Sequence, residues 1–124
     1  MALTNLRLAV KHVDGSRLGQ RLMPGATLFV PEFPVDLTWH TTVSYDLIAH
    51  DASLNLVAEV EAPDGTIIAQ SWAGVTTLRG NSVGTEIPLE DFTVSEPGRY
   101  TVRATVDGES LPPHSITIRR RGTP

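Results

Sequence analysis

The chain has 124 residues, a length that fits one domain, since domains commonly run to about 100–150 residues. Ten Lys and Arg against 14 Asp and Glu leave a formal charge of −4, which excludes a globally basic nucleic-acid binder. Hydrophobic residues make up 40% and cysteine is absent, so a core can form but disulfides, thiolate metal sites and cysteine nucleophiles are excluded.

Nine prolines and ten glycines punctuate the chain, and short alternating segments between them predict an all-β sandwich or barrel. Leu3 to Val10 reads as a first strand with Leu6, Leu8 and Val10 on one face, and a turn follows from Val13 to Arg17. Leu18 to Val35 reads as irregular and apolar, interrupted by Pro24, Pro31 and Pro34. From Leu37 to Ile48 the odd positions Leu37, Trp39, Val43, Tyr45 and Leu47 are apolar and the even positions Thr38, His40, Thr42, Ser44 and Asp46 polar. Successive side chains of a strand point to opposite faces, so this segment has one core face and one wet face. Ser53 to Ala62 repeats the pattern, with Leu54, Leu56, Ala58 and Val60 inward. Pro63-Asp64-Gly65 is a strong turn, and Thr66 to Thr77 returns as the hairpin partner.

Gly80 to Gly84 reads as a loop, and Thr85 to Leu89 as a short strand that Pro88 places near an edge. Arg99 to Val106 alternates cleanly, Asp107-Gly108 suits a tight hairpin, and Ser115 to Arg119 closes the fold. The sum is seven to eight antiparallel strands in a single unit spanning residues 1–124.

Glu96-Pro-Gly-Arg-Tyr-Thr-Val-Arg-Ala-Thr-Val-Asp-Gly-Glu109 resembles the late strands of immunoglobulin-like sandwiches, in which a Pro-Gly turn precedes a Tyr that opens a strand. The resemblance implies a tyrosine corner, with the Tyr100 ring in the core and its hydroxyl bonded to backbone upstream. Together with Phe29-Val-Pro-Glu-Phe-Pro-Val35 and the Pro-Asp-Gly hairpin, the pattern is similar to a family of small stand-alone bacterial immunoglobulin-like domains of unknown function. These are turn motifs, and a fold does not carry a function with it. The Cys–Trp–Cys core of antibody domains is missing, although Trp39 suits the core tryptophan.

Constellations for chemistry are sparse. His12, His40, His50 and His114 lack metal-site spacing and read as isolated surface residues, His40 on a wet strand face. His50-Asp51 is the one adjacent pair of His and acid at a strand end. Gly80-Asn-Ser-Val-Gly84 spells Gly-x-Ser-x-Gly, but a nucleophile elbow sets that serine on a strand-to-helix turn, and no helical periodicity follows it. Glu59 and Glu61 share a strand face about 7 Å apart, within the range of glycosidase carboxylates but equally the pattern of a solvated strand. Arg119-Arg120-Arg121 forms a basic end on an acidic body.

The expected function is therefore a non-enzymatic protein-interaction or structural module without metal or cofactor. Its partner is expected to be a protein, including a second copy as a homodimer, rather than nucleic acid or membrane. Residues 22–35 hold too much apolar surface for a solvated loop, while their prolines bar a central strand. They should lie along an edge or across an open end, with Phe29, Phe33 or both either contact residues or plugs for the end of the core. Trp72 is the third candidate: it faces out if Ile67 and Ala69 face the core, and is itself core or half-buried if the phase shifts. An exposed Trp either anchors a protein contact or stacks on a sugar, so a carbohydrate-type binding face is the alternative. The N-terminus lacks a basic segment followed by an apolar run, so no signal peptide is expected and the expected location is cytoplasmic.

Overall fold

The computed structural model describes residues 3–14, 19–47, 52–77 and 82–122. The described residues form ten strands and no helix, so none is long and apolar enough to cross a membrane. The strands are β1 Leu3–Val13, β2 Gln20–Leu22, β3 Ala26–Val30, β4 Val35–Leu47 and β5 Ala52–Glu61, followed by β6 Ile67–Thr77, β7 Ser82–Val94, β8 Gly98–Val106, β9 Glu109–Ser110 and β10 His114–Arg120.

They assemble into two sheets. The smaller runs β2-β1-β4-β7; the larger runs β3-β10-β8-β5-β6, with β9 paired to β8. All pairings are antiparallel except β3 with β10, which is parallel. The alternating pattern explains the layering, because it gives each sheet one apolar face to bury. On β4, Leu37, Trp39, Val43 and Tyr45 are buried, and on β5 so are Leu54, Leu56, Ala58 and Val60. Trp39 meets Phe92 edge to face, with ring centroids 5.1 Å apart and planes at 76°. Thr41 is buried on the same face of β4 because its hydroxyl donates to the Ile87 carbonyl at 2.7 Å, which satisfies a polar group that burial would otherwise penalise.

Turn chemistry sets the registers. Asp107 and Gly108 have φ of 49° and 81°, the pair of positive values that a type I′ hairpin requires. The Asp107 amide donates to the Asn55 carbonyl and the Asp107 carboxylate accepts from the Asn55 amide, so the turn is fastened to β5. At the opposite end Tyr100 is buried and its hydroxyl donates to the Glu96 carbonyl at 2.6 Å, as the Pro-Gly-Arg-Tyr motif implied.

Several expectations need correction. Of the segment expected to be irregular, Leu18 lies outside the described residues, while residues 20–22 and 26–30 form β2 and β3, short outer strands of the two sheets. The parallel pairing of β3 is not legible locally because its partner, β10, lies about 90 residues further along the chain. The strand expected over Thr85–Leu89 runs from Ser82 to Val94, although Pro88 does sit in an edge strand as expected. Pairing along β4 carries β7 well beyond its apolar centre. Residues 15–17 of the first expected turn, Ile48, His50-Asp51, and Gly80 with Asn81 of the expected loop lie outside the described residues.

Candidate functional site

Strand register decides where the three candidate contact residues point. Trp72 stands opposite Val57 on β5, and Val57 stands opposite Thr105 on β8. The neighbouring positions Leu56 and Val106 are buried, so Trp72, Val57 and Thr105 share the outer face of the larger sheet. A register shift between Val60 and Glu61 places Ile67 opposite Glu61 and leaves Ile68 as the extra residue. Ile67 therefore joins Trp72 outside, while Ile68 and Ala69 pack against the core. Trp72 is 71% exposed.

Phe29 occupies the opposite border of that face. It pairs with Arg119 across β3 and β10, is 52% exposed, and lines a shallow groove with Gln20, Thr27, Leu28, Arg121 and Gly122. Of the seven aromatic side chains, Trp39, Tyr45, Tyr100 and Phe92 are buried, and Phe33 is half-buried against the core. The two exposed aromatics thus lie on one face but not in one patch. Four strand spacings separate them, and along β8 Trp72 sits in the row of Thr105 while Phe29 sits one step beyond Gly98. That amounts to about 30 Å at ordinary strand geometry.

Between them the face is polar. The Gln70 amide donates to the Glu59 carboxylate at 3.1 Å. Arg103 pairs with Glu61 at 3.2 Å. The two glutamates that shared a face in the sequence therefore hold different neighbours, as residues of a solvated strand do. The groove beside Val57 is lined by Glu59, Arg103, Ala104 and Thr105. Of the polar positions flanking Trp72 on this face, Gln70 belongs to β6 itself and Glu59 to β5, across the hairpin; the ambiguous alternation of β6 carries no signal for this pairing.

The histidines separate into distinct environments. His114 is buried, with Nε2 2.7 Å from the Leu22 carbonyl, so it is a core residue joining β10 to β2 and not a surface one. His40 pairs with Glu86 at 2.9 Å. His12 is half-buried opposite Trp39, with its Nδ1 buried and unpaired. Burial lowers its pKa below the ordinary histidine value, partly offset by Asp14. Among the described residues no three His, Asp or Glu side chains group as a metal site would require.

No protein-family model matches the sequence, and no curated protein matches it. Solved structures do. The alkylpurine DNA glycosylase AlkC of Pseudomonas fluorescens, bound to DNA containing an abasic site analog, is similar over 90% of this chain and 30% of its own, with a TM-score of 0.53 and 17% identity. A β-glucosidase from Listeria innocua is similar over 92% of this chain and 16% of its own, with a TM-score of 0.52 and 12% identity. The chain spans less than a third of either protein, and at such identities the likeness concerns the fold alone.

Proposed function

We propose that this chain is an immunoglobulin-like β-sandwich acting as a non-enzymatic protein-interaction module, with the outer face around Trp72 as its contact. The fold reading is supported by the parallel β3–β10 pair, by the Tyr100–Glu96 corner, and by the connections β4–β5, β6–β7 and β7–β8, which each pass from one sheet to the other. The functional reading rests on one observation: a tryptophan 71% exposed on an outer strand, with Val57 beside it. Burying an indole on association removes about 150–250 Å² of surface, and tryptophan is enriched among residues that dominate binding energy.

The test is a photo-crosslinking amino acid in place of Gln70, in cells of the native host. Protein adducts that disappear when Trp72→Ala is added support the reading. Absence of protein adducts, or adducts indifferent to Trp72, overturns it.

The second reading is a carbohydrate-type platform. It draws on the Gln70–Glu59 pair next to the exposed indole, a ring to stack on a sugar beside groups that bond hydroxyls. A change in Trp72 fluorescence on adding oligosaccharides, absent from Trp72→Ala, would favour it over the protein contact.

A further inference from the structure

The two sheets have four outer strands, and three of them are blunted. β2 has three residues and β3 five, with Pro24 and Pro31 beside them. β7 carries Pro88, Glu86, Glu90 and Asp91, the last at a left-handed φ of 48°. The stretch of β1 that β2 leaves uncovered holds Arg7 and the left-handed Asn5. Such devices keep the unpaired N–H and C=O groups of an edge from recruiting another strand. Beyond the extra residue Ile68 at its start, β6 has none of them. Its eleven residues, Ile-Ile-Ala-Gln-Ser-Trp-Ala-Gly-Val-Thr-Thr, contain no charge and no proline. Among the described residues it pairs with β5 alone.

Gly74 adds a second observation. Its φ is not positive, and a β-carbon there would meet nothing within 4 Å. Neither backbone conformation nor packing inside the chain calls for glycine, although glycine weakens a strand. Glycine in a strand often marks the close approach of something else. Two residues away on the same outer face stands Trp72, and an aromatic ring laid across a glycine on the neighbouring strand is a favourable cross-strand arrangement.

We propose that β6 pairs antiparallel with β6 of a second copy of this chain, about a twofold axis at Ala73, so that each Trp72 covers the other copy's Gly74. It rests on the reading of Trp72 as a protein contact and names the partner. Ala73 then meets Ala73, Trp72 meets Gly74, and the pairing runs from Ala69 to Thr77, joining the two larger sheets edge to edge. The strand's lack of charge is what suits it to itself, because a charge near the twofold axis would lie close to the same charge of the other copy. An indole stripe, Val57–Trp72 from each copy, would run across the seam.

Sedimentation of the purified full chain at concentrations up to about 1 mM tests this. The wild type should form a dimer. Gly74→Val should fold with an unchanged or higher denaturation midpoint, since valine favours strands, yet raise the dimer dissociation constant about tenfold or more. Trp72→Ala should weaken the dimer as well. A monomeric wild type, or a Gly74→Val dimer as tight as wild type, overturns the proposal. A monomeric wild type that still gives Trp72-dependent protein adducts in cells means that the strand's partner is another protein, and only the self-pairing fails. No dimer and no such adducts mean that the contact reading fails too.

Discussion

Pro63 lies so close to Gly98 that a β-carbon on the glycine would stand 2.7 Å from Pro63 Cγ. The turn between β5 and β6 thus presses on the start of β8, immediately before the buried Tyr100. Gly98 has φ 146°, a conformation that L side chains rarely adopt. Both constraints act against any other residue. Gly98→Ala should lower stability by more than about 1 kcal/mol, the scale for alanine forced to positive φ. Adding Pro63→Ala, which removes Cγ, should recover part of the loss in a double-mutant cycle of urea midpoints. Strict additivity would dismiss the contact.

Tyr100 closes the same end. Its hydroxyl donates to the Glu96 carbonyl, and Tyr100→Phe should cost about 0.5–1.5 kcal/mol, the net contribution of a typical hydrogen bond. Burial raises the phenol's pKa. Spectrophotometric titration should show Tyr100 ionising above the ordinary tyrosine range while the fold persists.

The two tryptophans should behave oppositely. Trp39 is fully buried against Phe92, so Trp39→Ala should cost about 3–5 kcal/mol. Trp72→Ala should change the monomer's stability by no more than about 0.5 kcal/mol, as for ordinary surface positions. Thermal denaturation at low protein concentration checks both, and a large loss from Trp72→Ala would show that the indole supports its own fold.

His12 predicts a pH dependence. Its folded pKa lies below 6.5, first because burial disfavours the charged ring. The unfolded chain takes up a proton near 6.5 before the folded one does, so this contribution to stability is complete above about pH 6.5 and is lost as pH falls toward the lower folded pKa. Between about pH 7.5 and 5.5 the wild type should lose more stability than His12→Gln. Equal losses in urea titrations would remove His12 from the account.

The sequence by itself determined the elements whose signal is local. Alternation over Leu37–Tyr45, Leu54–Val60 and Tyr100–Val106 identified the buried faces, because the two-residue period of a strand is set by backbone geometry alone. Pro-Asp-Gly, Asp-Gly and Pro-Gly marked turns for the same reason: the allowed φ of each residue is a property of that residue. The tertiary structure decided everything that depends on which strands meet. The parallel seat of β3 on β10 has a sequence separation of about 90 residues, and no local pattern encodes it. His114 is a polar residue that local pattern assigns to the surface, and it is buried because the Leu22 carbonyl, 92 positions away, partners its ring. The outward aim of Trp72 was undecided in an alternation of Ile, Ala, Gln and Ser, and the extra residue Ile68 resolved it by shifting the register against β5. Burial in a sandwich is decided by neighbours from the other end of the chain, and those neighbours are chosen by long-range pairing.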